Sequence, residues 1–157
     1  MLPALYIMCG LPYSGKTVLA KKLSKKYGWK LVEIDGIKAR HGFAGIWQDM
    51  KMKDWDEIFS ESFEVVRNEL GAGRSIIYDS ANLTRESRDR LKNIAKESSA
   101  EARLIFLDIP TEEAISRWRE NEKAKFRHHL PEWALKAAIK TYQPPTTDEM
   151  PVSLDLP

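Results

Sequence analysis

Residues 10–17 read Gly-Leu-Pro-Tyr-Ser-Gly-Lys-Thr and match the spacing Gly-x-x-x-x-Gly-Lys-Thr. Glycines at these two positions let backbone N–H groups turn inward and approach phosphate oxygens closely. The lysine is placed to reach the β- and γ-phosphates of a nucleoside triphosphate, and the threonine hydroxyl is placed to ligate Mg²⁺. We therefore expect a phosphate-binding loop, the P-loop, whose nucleotide contacts come from Gly10, Tyr13, Ser14, Gly15, Lys16 and Thr17.

The flanking segments have the structure that such a loop requires. Ala4–Cys9 is a continuous apolar run, typical of a buried parallel strand. Residues 16–27 follow a helical pattern that Gly28 closes, with Val18, Leu19 and Leu23 predicted to point inward. A helix that begins at the loop adds its positive dipole end to the phosphate site.

Two aspartates follow further apolar segments. Asp35 comes after a predicted strand over 30–34, and Asp79 ends a predicted strand over 75–79. Because parallel strands end at one edge of a sheet, both carboxylates should lie near the P-loop. Asp79 would then contact Mg²⁺ and Asp35 would accept the proton of a substrate hydroxyl, although each could instead cap or form a turn.

Alternating strands and helices indicate an α/β domain over residues 1–157 with a parallel sheet between helices. Residues 36–53 look irregular, and Asp54 looks like the N-cap of an amphipathic helix that reaches Leu70. We interpret its aromatic stripe as core. Thr84 should cap a helix to about 98, followed by a strand over 103–109, helices from 111 and from 131, and a short strand over 152–156.

A basic segment follows the fourth strand, with Arg117, Arg119 and Arg127 among its charged residues. A mobile lid that closes over the phosphates would need such arginines. A solvated basic helix explains the same pattern equally simply. His128 and His129 lack metal-ligand spacing, so we expect them at the surface.

The overall composition of the chain excludes few classes of protein. The 25 basic and 23 acidic residues nearly balance, which gives no general case for a nucleic-acid partner. The single cysteine cannot form an intrachain disulfide, and no stretch approaches the roughly 18 apolar residues of a membrane helix. We expect a cytoplasmic protein without a membrane partner and predict no oligomeric state.

Beyond the P-loop, the stretch Asp79-x-x-Asn82-Leu83-Thr84-x-x-x-Arg88 resembles a family of P-loop kinases that includes polynucleotide kinase, zeta toxins and chloramphenicol phosphotransferase. The resemblance implies a three-layer sandwich with a five-stranded parallel sheet in the order 2-3-1-4-5. It also implies a helical acceptor-side insertion at about 36–72 and a lid at about 117–130.

The same resemblance implies a reaction: ATP with Mg²⁺ as donor and the hydroxyl of a small molecule or a polynucleotide 5′ end as acceptor. Asp35 would be the general base, and Arg117 or Arg119 would be the lid arginine, together with Arg127. Arg88 would lie near the acceptor or brace Asp79.

One position departs from the polynucleotide kinase pattern. Those kinases tend to carry an arginine three residues after the catalytic aspartate, where this chain has Lys38, and the nearest arginine is Arg40. A lysine binds phosphate as a point charge and not as a bidentate fork. Lys38 and Arg40 stay candidate substrate-binding residues, but nucleic acid is not established as the acceptor. A P-loop ATPase or switch that acts through a partner is the alternative function, and a nucleotide-binding protein without catalysis is a third.

Overall fold

The computed structural model describes residues 1–46 and 48–153. Within them, parallel strands form one sheet in the order β2-β3-β1-β4-β5. The strands are β1 Ala4–Cys9, β2 Lys30–Glu33, β3 Ile76–Asp79, β4 Glu101–Phe106 and β5 Val152–Ser153. The helices are α1 Lys16–Tyr27, α2 Ile34–Arg40, α3 Met52–Gly71, α4 Arg85–Glu97, α5 Thr111–Ala124 and α6 Glu132–Thr141.

The central strand β1 separates two apolar layers. Leu5 and Ile7 belong to a core shared with α3 and α4, whereas Met8 packs with Ala20 of α1 on the other face. Successive side chains of a strand point to opposite faces, so the apolar run of β1 is buried on both sides. The predicted three-layer α/β fold and its strand order are confirmed. Of the predicted strand over 152–156, only 152–153 lies in the described residues.

The prediction of an irregular segment over 36–53 is wrong in its first part. Helix α2 begins at Ile34, directly after β2, so β2 ends at Glu33 and Asp35 lies in the first turn of a helix. Ile34 and Ile37 are buried. Their burial against the core stabilises this seven-residue helix. The sequence alone does not predict it, because the helix is short and contains Gly36.

Two further details of the helices differ from expectation. Helix α3 begins at Met52, and Asp54 is not its N-cap but accepts the Lys51 backbone N–H at 2.7 Å from the third helical position. Val18, predicted to point inward, is exposed and lines the pocket described below. The C-terminal glycine of α1 is confirmed: Gly28 is left-handed and donates its N–H to Ser24 O.

The carboxyl edge of the sheet gathers the predicted site residues. Glu33 of β2 is in register with Asp79 of β3, and the P-loop follows β1 between β3 and β4. The Gly10 N–H donates to Ala81 O at 3.3 Å, which joins the P-loop to the segment after β3. No helix in the described part of the chain is long and apolar enough to span a membrane.

Candidate active site

Two P-loop glycines occupy positions that other residues would disturb. A Cβ atom at Gly10 would lie 2.8 Å from Leu107 O and 2.9 Å from Ser14 Oγ, so only glycine fits between the loop and the segment after β4. Gly15 has φ +95°, in the left-handed region that glycine adopts without strain. The loop therefore turns tightly into the N-terminus of α1, which is the geometry of an anion-binding site.

Lys16 reaches back over this loop. Its Nζ donates to Gly10 O and Leu11 O, both at 2.8 Å. Burial disfavours the charged ammonium and lowers the pKa of Lys16 to about 8, although the negative charge of Asp79 acts in the opposite direction. A positive charge held in a desolvated loop interacts strongly with phosphate oxygens.

Thr17 and Asp79 form a hydrogen-bonded pair that lines the same pocket as Lys16. The Thr17 hydroxyl donates to Asp79 Oδ2 at 2.7 Å, although the residues are 62 positions apart in the chain. Burial raises the pKa of Asp79, and the hydrogen bond from Thr17 and the charge of Lys16 partly offset this. A hydroxyl and a carboxylate oxygen side by side are hard oxygen donors of the kind that Mg²⁺ prefers.

Asp35 lines the same pocket as this pair. It is exposed in the first turn of α2, directly after β2. Lys38, one turn later, is buried, with its Nζ 5.2 Å from the centre of the Trp55 ring. Burial lowers the pKa of Lys38, while the charge of Asp35 counteracts that effect. Lys38 is therefore behind the wall of the pocket and not in its lining.

Helix α5 and the segment after it contact the P-loop at Tyr13. Arg117 Nη1 donates to Tyr13 O at 3.1 Å, and the Leu130 N–H donates to Tyr13 Oη at 3.1 Å. The guanidinium of Arg127 lies 4.6 Å from the centre of the Tyr13 ring. Arg119, in contrast, is exposed on α5 and does not belong to the described lining of the pocket. Of the predicted lid arginines, the structure brings Arg117 and Arg127 to the loop.

Asn121 fixes the backbone that carries Arg127. Its Nδ2 donates to Arg127 O at 3.2 Å and its Oδ1 accepts the Arg127 N–H at 3.1 Å. Nearby, Trp118 Nε1 donates to Leu130 O at 2.7 Å and its ring stacks on His129. His128 is exposed, whereas His129 is only partly exposed because Trp118 stacks on its ring and Asn121 contacts its Nδ1.

Arg88 is buried in the interior and holds two segments of the chain together. Its guanidinium pairs with Glu149 through bonds of 2.9 and 3.0 Å and donates to the carbonyls of Asn82 and Gln143. It is 1% exposed and braces the segment after β3 and the chain around Glu149, not Asp79. Arg40 pairs with Glu61 at 2.8 Å on the surface. The structure brings neither Arg88 nor Arg40 into the lining of the pocket.

These elements enclose a cavity of about 350 Å³. The P-loop, Thr17 and Asp79 form one end, and Asp35 with Glu33 lies beside them. Much of the remaining lining is apolar and comes from α2, α3, the segment after β3, the segment after α5 and α6: Ile34, Trp55, Phe59, Leu83, Leu130, Ala134 and Ala138.

Sequence reasoning missed part of this lining. Their helical spacing predicts Trp55 and Phe59 as core residues, but both are only half-buried and line the cavity. Glu33 and the α6 alanines gave no signal, since a lining alanine looks like any other helical alanine. Asn121 could have been suspected, because an asparagine on the buried face of a helix needs hydrogen-bond partners.

Comparison with known proteins places this site in a family. A protein-family model described as an AAA domain matches residues 5–145. A probable gluconokinase of Xenopus tropicalis is 24% identical over an alignment of 162 positions, which covers 96% of this chain and 84% of the relative. A bifunctional polynucleotide phosphatase/kinase of Schizosaccharomyces pombe is 27% identical over 91% of this chain, which spans only 30% of that longer protein.

A solved structure shares the fold of this chain. The structure of Kti12 from Chaetomium thermophilum in complex with ADP-AlF3 superposes with a TM-score of 0.76 at 18% identity. The alignment covers 96% of this chain and 88% of that one. At this identity the likeness shows the shared fold.

Proposed function

This chain belongs to the AAA-domain family of P-loop kinases, and on that premise we propose that its cavity transfers the γ-phosphoryl group of ATP to an alcohol. The resemblance to P-loop kinases and the kinase reaction class predicted from the sequence are confirmed by the family match and by the two kinase relatives. The proposal concerns the donor, the metal and the role of each residue.

One observation carries the proposal: the Thr17–Asp79 pair, at 2.7 Å, lines the same cavity as Lys16 and Asp35. The P-loop amides and Lys16 would hold the β- and γ-phosphates. Arg127 and Arg117, held against Tyr13, would place positive charge beside the transferring group. A phosphate end and an acidic acceptor side in one cavity fit a transfer reaction better than binding alone.

Mg²⁺ fits the residues present. Thr17 Oγ1 and Asp79 Oδ2 would hold it, since Mg²⁺ is usually bound by one or two carboxylates plus phosphate oxygens and water. The described residues contain no group of three or more histidine, cysteine, aspartate or glutamate side chains that could form an all-protein metal cage. Bound there, Mg²⁺ would neutralise charge on the phosphate oxygens.

Asp35 is the proposed general base. The acceptor oxygen attacks the γ-phosphorus, a new O–P bond forms as the bond to the β–γ bridging oxygen breaks, and the hydroxyl proton passes to the Asp35 carboxylate. The products are a phosphomonoester and ADP. Asp35 suits this role because it is exposed to the cavity and borders the apolar wall, while Asp79 is committed to Thr17.

A transfer assay with γ-labelled ATP tests the proposal. Pools of alcohols, including 5′-hydroxyl DNA and RNA, are incubated with the protein and with Lys16→Ala as control. We expect label in a phosphomonoester for the native protein and none for the variant. Label released only as free phosphate, with every pool unmodified, would instead support the ATPase reading.

A further inference from the structure

The acceptor end of the cavity carries aromatic rings that are rigidly supported. Trp55 and Phe59 lie with ring centres 6.1 Å apart and planes 29° apart on α3. Phe59 continues to Phe63 at 6.1 Å, and Phe63 stacks on Tyr78 at 6.2 Å. Tyr78 is buried in β3 and hydrogen-bonds Ser62 at 2.8 Å. This series of ring contacts links the two lining rings to the sheet, so the acceptor end has an apolar aromatic surface that is preorganised for a ligand.

The charged side chains that line the acceptor side of the cavity are acidic. Among the described lining residues the charged side chains are Lys16, Glu33, Asp35, Asp79 and Arg127. Lys16 and Arg127 lie at the P-loop, where they serve phosphates. On the acceptor side this leaves Glu33 and Asp35.

The other basic side chains from this region do not join the described lining: Lys21 pairs with Glu33 at 4.0 Å, Lys38 is 2% exposed with its Nζ against the Trp55 ring, and Arg40 is held by Glu61. A carboxylate or phosphate on the acceptor would therefore meet two acids that line the cavity, where like charges repel in a partly desolvated site. Burial raises the pKa of Glu33; the charge of Lys21 counteracts this effect, and the charges of Asp79 and Asp35 reinforce it.

We propose that the acceptor is an alcohol without negative charge, whose flat apolar body lies against Trp55 and Phe59 while its hydroxyl meets Asp35. The proposal rests on the kinase function above and narrows it. It excludes sugar acids such as gluconate and internal phosphates of a polynucleotide as acceptor groups at this surface. A free nucleoside and an arene-bearing alcohol share the required chemistry.

Matched pairs of small molecules separate the effect of ligand charge on affinity from the effect of ligand shape. Binding is measured by calorimetry in the presence of Mg²⁺ and a non-hydrolysable ATP analogue. Thymidine against thymidine 3′-monophosphate varies one phosphate on the same nucleoside and keeps the 5′-hydroxyl, and sorbitol against gluconate varies one carboxylate without a flat body. 3-Phenylpropan-1-ol distinguishes an arene source from a nucleoside source. Trp55→Ala removes the ring, Trp55→Phe retains one, and Trp133→Ala is the control at an exposed tryptophan of α6.

We expect thymidine or 3-phenylpropan-1-ol to bind at least about tenfold more tightly than thymidine 3′-monophosphate, sorbitol and gluconate. Trp55→Ala should weaken that binding about tenfold or more, as the loss of one stacking ring does, whereas Trp55→Phe and Trp133→Ala should change it less than about threefold. The proposal is overturned if thymidine 3′-monophosphate binds as tightly as thymidine, or if gluconate binds more tightly than sorbitol. It is equally overturned if neither flat alcohol binds at up to about 10 mM, a range that includes weak ligands, or if Trp55→Ala behaves like Trp133→Ala.

The transfer assay keeps the two proposals distinguishable. Binding of a flat neutral alcohol without any label transfer would support the acceptor surface and contradict the kinase reaction. Efficient transfer of label to gluconate would support the kinase reaction and contradict the acceptor surface.

Discussion

Replacing Glu149 with glutamine should lower the free energy of unfolding and make that free energy less dependent on pH in the acid range. Glu149 has a fully buried side chain that pairs with Arg88 at 2.9 Å and with Lys92 at 2.7 Å. Burial alone would raise its pKa, but the hydrogen bonds from Arg88, Lys92 and the Thr146 backbone lower it from 4.5 to about 2. The carboxylate is thus more favourable in the folded than in the unfolded chain.

The magnitude follows from that pKa difference. A decrease of about 2.5 pKa units at about 1.4 kcal/mol each corresponds to about 3 kcal/mol of unfolding free energy. Because the folded pKa is the lower one, this contribution is complete above pH 4.5 and is lost as the pH falls toward 2. Glu149→Gln also leaves the buried Arg88 without a counter-charge, so we expect a loss of about 3–5 kcal/mol at pH 7.

Urea unfolding at several pH values between about 2 and 7 measures both effects. The wild type should lose stability over this acid range more steeply than Glu149→Gln, and exposed Glu97→Gln is the matched control. Other carboxylates titrate in both proteins, so the difference between their slopes isolates Glu149. A loss at pH 7 below about 0.5 kcal/mol, or identical slopes for the two proteins, would refute this reasoning.

The site itself yields three further predictions. Because burial lowers the pKa of Lys16 to about 8, the nucleotide dissociation constant should rise as the pH passes above 8 and the free protein loses this charge, whereas Lys16→Ala should show a flat profile in the same titration. Asp35→Asn should retain nucleotide affinity and lower kcat by about 10²–10⁴-fold, and an undiminished turnover would remove Asp35 from the mechanism. Tyr13→Phe removes the hydroxyl that accepts the Leu130 N–H but keeps the ring beside the Arg127 guanidinium. We therefore expect Tyr13→Phe to lower kcat severalfold and less than Tyr13→Ala does. Equal losses of kcat in the two variants would show that the ring contact with Arg127 is unimportant.

Local chemistry explains which parts of the fold could be predicted. The P-loop was predictable because each of its residues has its own physical requirement, and the flanking strand and helix have strong, simple patterns. The strand order came from the resemblance, not from periodicity. Helix α2 was not predictable because burial of Ile34 and Ile37 stabilises it, and such tertiary contacts are invisible in a seven-residue window.

Some residues of the candidate site were likewise predictable from the sequence, and others were not. Sequence placed Lys16, Thr17, Asp35 and Asp79 at one sheet edge, and the structure brings them to one cavity. Arg88 shows the limit of such reasoning. An arginine near the end of a motif looks functional, but its partner Glu149 is 61 residues away in the chain and binds it in the interior.

The ratio of phosphomonoester to ADP formed tests the central claim most directly. The native protein is incubated with ATP, Mg²⁺ and the alcohol from the binding panel that binds most tightly, and both products are quantified in one reaction by mass spectrometry. A kinase in which Asp35 activates the acceptor predicts one phosphomonoester per ADP, with ADP formation that depends on the alcohol. ADP that accumulates with free phosphate at the same rate with or without the alcohol would contradict it.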